Sequence, residues 1–193
     1  MKRSKLITSI LVIILALAMT VALTGCENEI GDAENGAPVA GIAPPLAAGE
    51  EVEIDLSNQD LSDAQVAAKI ESGEIPANVT HLNLHYNNLT DSSLLSGLTN
   101  LRNLDLGGNS VSDISGLSTL VNLTELDLWR NGISDISALS TLTNLERLRL
   151  QNNSISDASV LSGLTNLTWA DLFLNHVTDW SPTDHIDYVQ GRP

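Results

Sequence analysis

The sequence predicts an α/β solenoid that is built around one parallel sheet. A 22-residue repeat runs in one register through residues 79–188, with Asn at position 9 of all five copies. Apolar and polar residues alternate over positions 3 to 7, the period of a strand with one buried face. Because one such unit cannot bury its apolar face alone, the copies are expected to stack. The copies begin at Val79, Leu101, Leu123, Leu145 and Leu167.

Residues 1–25 have the pattern of a secretory signal peptide, in which basic residues precede an apolar run from Leu6 to Leu23. An uncleaved anchor is the alternative, because an apolar run of this length nearly spans a bilayer as a helix. The next residues, which end at Cys26, resemble the lipobox of bacterial lipoproteins. That resemblance implies cleavage before Cys26 and acyl chains on this residue. We therefore predict an extracytoplasmic lipoprotein that is anchored to the membrane of a bacterial envelope.

Residues 26–50 are predicted to form a flexible tether. They are rich in Gly, Ala, Pro and acidic residues, and they show neither a helical nor a strand period. Such a segment buries too little apolar surface to order itself. The repeat domain is therefore expected to be held at a distance from the membrane.

Residues 51–78 are predicted to be an N-terminal cap that combines a degenerate repeat with a short helix. The helix is expected from about Asp63 to Ser72, because Ser62 and Gln65 have the spacing of a capping box. Terminal repeats of a solenoid cover its open apolar end. We therefore interpret the helix as a lid on the core rather than as a binding element.

Two polar positions of the repeat are predicted to be structural. An amide side chain can donate and accept at once, so the Asn residues at position 9 are expected to form a ladder that satisfies backbone groups in the turn. Position 13 is always Asp, which suits the cap of a helical turn. Calcium binding by these aspartates is disfavoured, because the repeat lacks the Gly-rich pattern of calcium-binding β-rolls. The ladder consists of Asn87, Asn109, Asn131, Asn153 and Asn175.

The pattern L-x-x-L-x-L-x-x-N-x-[IV]-[ST]-D resembles the bacterial leucine-rich repeat of the 22-residue, internalin-like kind. The resemblance is strong over residues 79–188 and weak over the cap. It implies a right-handed solenoid with short parallel strands on a concave face and 3-10 or irregular turns on the convex face. It also implies that ligands are recognised on the concave face. The last copy departs from the pattern, so the array is expected to close there, with residues 189–193 as a C-terminal tail.

The outward strand positions hold the candidate ligand-binding residues. The chain has only six aromatic residues, and three of them occupy outward positions. Large exposed aromatic side chains and Arg are typical of interfaces. Chance exposure is the alternative. The predicted binding patch consists of Tyr86, Trp129, Arg130, Arg149, Trp169 and Phe173.

Charged residues on neighbouring strands are expected to pair across the sheet. Adjacent parallel strands lie about 4.8 Å apart, which places Glu125 opposite Arg147 and Asp127 opposite Arg149. The simplest interpretation is that these side chains neutralise one another.

Composition and motifs exclude several classes of function. After residue 25 the chain carries six Lys and Arg against 24 Asp and Glu, which argues against nucleic-acid binding. No nucleophile–base pair or phosphate-cradling loop occurs, so no catalytic residue and no cofactor are predicted. His81 and His85 lie about 13 Å apart on one strand, too far to share a metal ion, and no metal site is predicted.

The sequence therefore predicts a monomeric, lipid-anchored cell-surface protein that binds a partner protein through its concave face. Carbohydrate or cell-wall binding by the aromatic patch is a second hypothesis. A structural envelope protein without a specific ligand is a third.

Overall fold

The structure is a computed structural model that describes residues 51–193. The signal peptide, the lipidation site at Cys26 and the tether were predicted for residues 1–50, and they lie outside the described residues. Within residues 51–193, no helix is both long enough and apolar enough to cross a membrane.

In the described part of the chain, seven parallel strands form one sheet in the order in which they occur in the sequence. Each strand is three residues long, and its central residue pairs with the central residue of the next strand, as Leu104 does with Leu126. This confirms the α/β solenoid of leucine-rich repeats. The strands are β1 (Glu53–Asp55), β2 (His81–Asn83), β3 (Asn103–Asp105), β4 (Glu125–Asp127), β5 (Arg147–Arg149), β6 (Trp169–Asp171) and β7 (Tyr188–Gln190).

The strands are shorter than the alternation over positions 3 to 7 predicted. In β4, the Asp127 Oδ1 atom accepts a hydrogen bond of 3.0 Å from the Trp129 amide. The same turn follows β3, where Asp105 accepts from the Gly107 amide at 2.8 Å. A carboxylate that bonds the amide two residues later bends the backbone out of the extended conformation. Asp55, Asn83 and Asp171 make the equivalent bond, so this turn ends β1 to β4 and β6. β5 and β7 end without it.

The return path of each repeat is a short 3-10 helix. The Asp at position 13 accepts a hydrogen bond from the first amide of this helix; for example, Asp113 Oδ1 accepts from the Ser115 amide at 2.8 Å. Equivalent bonds recur in the other four copies. The aspartates therefore bind the N-terminus of the helix, but from one residue before the N-cap position predicted for them. The 3-10 helices span Ser93–Leu95, Ser115–Thr119, Ser137–Thr141, Ser159–Gly163 and Ser181–Thr183.

Within residues 51–193 there is one α-helix, α1 (Asp63–Glu71), which covers the N-terminal end of the core. Gln65 Oε1 accepts a hydrogen bond of 2.9 Å from the Ser62 amide, as the predicted capping box requires. Val66 is completely buried against the core, and Ile70 packs beside it. The helix therefore packs on the end of the core for which a cap is predicted.

The Asn residues at position 9 connect each repeat to the one before it. Asn153 donates to the carbonyl of Leu150 in its own repeat and to that of Leu128 in the preceding repeat, both at 2.9 Å. Its Oδ1 atom accepts from the Ile133 amide at 3.1 Å. Asn87, Asn109, Asn131 and Asn175 make the equivalent bonds.

The C-terminal end of the array is closed by a seventh strand and by an Arg side chain. β7 pairs with β6, so the segment 189–193, predicted as a tail, contributes two residues to the sheet. A guanidinium nitrogen of Arg192 donates to the Trp180 carbonyl at 3.1 Å and to Thr183 and Asp184 at 2.7 Å. These bonds hold the last turn against the preceding 3-10 helix.

We expect Asn153→Ala to lower the free energy of unfolding by about 2 kcal/mol, because an unpaired buried polar group costs about 1–3 kcal/mol. The substitution leaves the Ile133 amide without its partner. The carbonyls of Leu128 and Leu150 lose one bond each but keep another, from Asn131 and Asn175. Urea denaturation followed by circular dichroism measures the change.

The matched control is Asn144→Ala, in which an exposed Asn loses a single bond of 2.9 Å to the Val121 carbonyl. We expect a loss below about 1 kcal/mol for this variant. Equal losses for the two variants would contradict the role given to the position 9 ladder.

Candidate functional site

The outward side chains of the sheet enclose a groove of about 440 Å³ that runs across β1 to β6. We call this side of the sheet the sheet face. The groove is lined by side chains at positions 3 and 5, which alternate with the buried central residue of each strand. It is therefore the surface on which a ligand of the concave face would lie.

Charge is distributed unevenly along the groove. Its β1 to β4 part carries the carboxylates, and its β5 to β6 part carries two guanidinium groups next to Trp169. The carboxylates belong to Glu53, Asp55, Asp105, Glu125 and Asp127, and the guanidinium groups to Arg147 and Arg149. A ligand in the groove therefore meets an acidic end and a basic, aromatic end.

Only one of the two predicted ion pairs forms. The register places Glu125 opposite Arg147 and Asp127 opposite Arg149, as expected. Arg149 contacts the Asp127 carboxylate at 2.7 Å. Within residues 51–193, however, Arg147 makes no ion pair. Its guanidinium lies 4.9 Å from the ring centroid of Trp169 instead. The expectation that Glu125 and Arg147 neutralise each other is therefore wrong.

Trp169 is the centre of the basic, aromatic end. The Arg147 and Arg149 guanidinium groups lie 4.9 Å and 5.7 Å from its ring centroid. Tyr188 of β7 stacks against the same ring, with centroids 6.1 Å apart and planes inclined by 12°. Contacts of a cation with an aromatic face are worth about 0.5–2 kcal/mol. The indole therefore holds both cationic side chains at the groove.

Asp127 has an unusual environment for a carboxylate on a solvated sheet. Burial raises the pKa of Asp127 from its ordinary 3.8 to about 6, and the nearby Asp105 carboxylate adds to the rise. The Trp129 amide and the Arg149 guanidinium oppose it. An ion pair at 2.7 Å would by itself lower this pKa, so loss of hydration outweighs it here. The charge of Asp127 therefore changes close to neutral pH.

A second aromatic cluster lies beyond the groove, at the ends of β2 and β4. The ring centroids of Tyr86 and Trp129 are 5.5 Å apart, and His85 lies within 5.7 Å of both rings. Two glycines form its floor. A Cβ atom at Gly107 would lie 2.2 Å from the Trp129 ring, and one at Gly108 would lie 2.5 Å from the Tyr86 ring. The Trp129 and Tyr86 rings therefore occupy the space that side chains at Gly107 and Gly108 would fill.

Position 8 of the repeat adopts a left-handed backbone conformation. Gly108 has φ of 66° and Asn152 has φ of 57°, and both residue types tolerate this region. Tyr86 and Arg130 have φ of 50°, and Leu174 has φ of 57°. These residues are strained there by about 1–2 kcal/mol each. Nothing in the turn requires large side chains at this position, so their presence is consistent with a role at the surface.

The six predicted patch residues therefore do not form one surface. Arg149 and Trp169 line the groove, whereas Tyr86 and Trp129 form the cluster at the strand ends. Arg130 is exposed beside that cluster, and Phe173 is 45% exposed at the end of β6.

Sequence reasoning left three residues out of the patch, namely His85, Arg147 and Tyr188. The first two occupy outward positions, so their place on the face was visible in the repeat pattern. Tyr188 lies in a segment without the repeat pattern, and no signal in the sequence identified β7 as a strand.

The sequence matches a family of leucine-rich repeats that is described as containing two copies of the repeat. The matches cover residues 77–119 and 121–163. No curated protein matches the chain.

Solved structures of two internalins from Listeria monocytogenes are similar to this chain. Internalin InlF is 37% identical with a TM-score of 0.58, and the match covers 61% of this chain and 36% of that protein. Internalin C2 is 31% identical with a TM-score of 0.62, and the match covers 71% of this chain and 58% of that protein. The chain therefore spans between about a third and three fifths of the length of these internalins.

We expect Gly107→Ala to displace the Trp129 ring, because the new Cβ atom would lie 2.2 Å from two of its atoms. The indole N–H signal of Trp129 in a ¹⁵N correlation spectrum should shift, while the signals of Trp169 and Trp180 stay in place. We expect a loss of about 1 kcal/mol in stability, at the lower end of the range for overpacking.

Gly97→Ala is the matched control, because a Cβ atom at Gly97 meets nothing within 4 Å. All three indole signals should be unchanged in this variant. An unchanged Trp129 signal in Gly107→Ala would show that the indole does not rest on this glycine.

We expect the stability of Asp127→Asn relative to wild type to increase as pH rises from 4 to 7. Folded Asp127 holds its proton up to about pH 6, whereas the unfolded residue loses it near 3.8. Wild type therefore loses stability across this window, by an amount on the order of 1–3 kcal/mol. Urea titrations at several pH values measure the difference.

Asp135→Asn should show the opposite trend. Its bond from the Ser137 amide lowers the pKa of Asp135, so this carboxylate contributes stability that is present at neutral pH and lost on acidification. If the difference in stability between Asp127→Asn and wild type did not change with pH, the raised pKa of Asp127 would be contradicted.

Proposed function

We propose that this internalin-like leucine-rich repeat domain binds a partner protein through its sheet face. The observation that carries the proposal is the placement of Trp169 beside the two guanidinium groups of β5 on a solvated groove. Trp, Tyr and Arg are the residue types that dominate the energetics of protein interfaces. The core of the fold is formed by aliphatic side chains beneath the sheet, so folding does not require this arrangement.

The charges of the groove favour a particular kind of partner segment. Cationic residues of the partner would face the β1 to β4 carboxylates, and an acidic residue would face Arg147. From the middle of the acidic end, between β2 and β3, to Arg147 on β5 is about two and a half strand spacings, or roughly 12 Å. An extended chain covers this distance in about four residues. We therefore expect a segment in which opposite charges are about four residues apart.

The cluster of Tyr86, Trp129 and His85 extends this surface beyond the groove. Tyr86 is 39% exposed, and its ring meets Trp129 edge to face at 82°. Arg130 follows directly and points to solvent. An apolar side chain of the partner that packed here would add a second anchor, at a distance from Trp169.

In this proposal the protein acts on the extracytoplasmic side of a bacterial membrane. It rests on the basic and apolar pattern of residues 1–25 and on the lipobox resemblance at Cys26. A lipid anchor and a tether would present the sheet face to partners in the envelope. The proposed protein acts as a monomer and needs no cofactor.

Carbohydrate binding is the second candidate, and the pairing of Trp169 with Tyr188 favours it. The two rings are nearly parallel, and Tyr188 is 52% exposed. The exposed ring of Tyr188, which stacks on Trp169 near Arg147, would suit a sugar that carries a carboxylate.

The experiment is capture of envelope components by the full-length protein in detergent, followed by binding measurements with each purified candidate. The test variant combines Trp129→Ala, Trp169→Ala and Phe173→Ala. We expect a protein that binds wild type to lose at least about tenfold in affinity for this variant, because interface anchors of this kind each contribute about 2 kcal/mol or more.

The matched control replaces three exposed residues at position 21 of the repeat, away from the sheet face: Val121→Ala, Thr143→Ala and Thr165→Ala. It should bind like wild type, and both variants should keep the wild-type circular dichroism spectrum. Selective binding of a glycan instead of a protein would support the second candidate. A partner that binds all three proteins equally would contradict recognition by the sheet face.

A further inference from the structure

Three side chains at the β1 end of the sheet face bring metal-binding atoms together. Glu51, Glu53 and His81 each offer one ligand atom, and these atoms all lie within 4.8 Å of one another. Glu53 and His81 also line the groove. The cluster is separate from the aromatic patch, since it lies at the opposite end of the groove from Trp169.

The register of the first two strands creates this cluster. Glu53 of β1 pairs directly with His81 of β2. Glu51 lies two residues before Glu53, so its side chain leaves the backbone on the same side of the sheet. The ligands are far apart in the sequence and follow no metal-binding spacing, which explains why sequence analysis predicted no metal here.

Thr80 orients the ring of His81. The Thr80 hydroxyl donates to the Val52 carbonyl at 3.1 Å and accepts from the Val52 amide at 2.8 Å. Its oxygen also lies 3.0 Å from His81 Nδ1. When the hydroxyl hydrogen is directed at Val52, Nδ1 donates in this contact and the lone pair of the neutral ring is on Nε2.

This arrangement is typical of metal-bound histidine. A ligating His usually donates its second ring N–H to a neighbouring oxygen, which fixes the tautomer and the direction of the ring. In this protein the orienting oxygen belongs to Thr80, whose hydroxyl is anchored to the strand before it. The contact with Thr80 therefore fixes the direction of the imidazole, and the tautomer with hydrogen on Nδ1 leaves Nε2 free to bind a metal ion.

We propose that Glu51, Glu53 and His81 bind a divalent transition-metal ion of the zinc class at the β1 end of the groove. One imidazole and two carboxylates form a ligand set that suits Zn²⁺, whereas Ca²⁺ and Mg²⁺ prefer oxygen ligands alone. Ligands about 2.0–2.2 Å from zinc lie at most about 4.4 Å from each other. The exposed Glu side chains reach this spacing by small rotations. Water would complete the coordination.

This inference is independent of the proposed partner. A metal ion at this place would neutralise part of the acidic end of the groove and would leave open coordination positions for a donor atom of a ligand. Three protein ligands with an open position are typical of zinc sites that bind a further group.

The experiment is isothermal titration calorimetry of the full-length protein with ZnCl₂, in detergent and without a polyhistidine tag. All proteins carry Cys26→Ser, so that a thiolate cannot bind the ion. We expect one Zn²⁺ per chain. His81→Ala and Glu53→Gln should each weaken zinc binding at least about tenfold. Loss of a group that only orients a ligand weakens binding by about this factor, and loss of the ligand itself should weaken it no less. Ca²⁺ and Mg²⁺ should give no comparable heat.

His176→Ala is the matched control, because it removes an exposed imidazole elsewhere on the repeats. It should bind zinc like the parent protein. Urea denaturation shows whether each variant is folded, and Glu53→Gln keeps the shape of the side chain if His81→Ala is unstable. Absence of zinc binding, or binding that His81→Ala and Glu53→Gln leave unchanged, would overturn the proposal.

Discussion

The repeats depend on satisfying the backbone groups that are buried in the turn after each strand. The side chain of Asn153 does this with three hydrogen bonds, two of which reach into the preceding repeat. Because the same atoms serve every copy, the ladder fixes the spacing of the repeats as well as their stability. A repeat that is shifted by one residue would leave these groups unpaired, at a cost of about 1–3 kcal/mol each. The register of the sheet follows from this constraint.

A fixed register turns residues that are 22 positions apart into neighbours. Arg147 and Trp169 meet in this way on the sheet face, as do Asp127 and Arg149. The outward positions take no part in the ladder or the core, so they can vary without a change in fold. Glu53 and His81 meet by the same mechanism, although the first repeat is degenerate.

Most of this fold can be predicted from the sequence, because the 22-residue repeat determines which residues are buried and which strands are neighbours. Leu126 and Leu128 are buried as the alternation requires, and α1 ends within a residue of its expected boundary. The site is less predictable. Outward positions identify which side chains share a face, but not which neighbour each one contacts. Arg147 lies on Trp169 rather than beside Glu125, since an exposed ion pair gains little in water while an aromatic face also covers the apolar stem. β7 was missed, because its residues do not follow the repeat.

The division between buried and outward positions also separates stability from recognition. The aliphatic columns and the Asn ladder account for folding, so the features that they leave unexplained need another cause. Trp169 packs on two guanidinium groups that face water, Tyr86 and Arg130 hold left-handed conformations, and Asp127 is dehydrated beside a single cationic partner. Each of these features costs free energy or contributes little to the fold. These features lie on the sheet face or in the turns that directly follow its strands, and none of them lies in the 3-10 helices behind the sheet, as expected of a surface selected for binding.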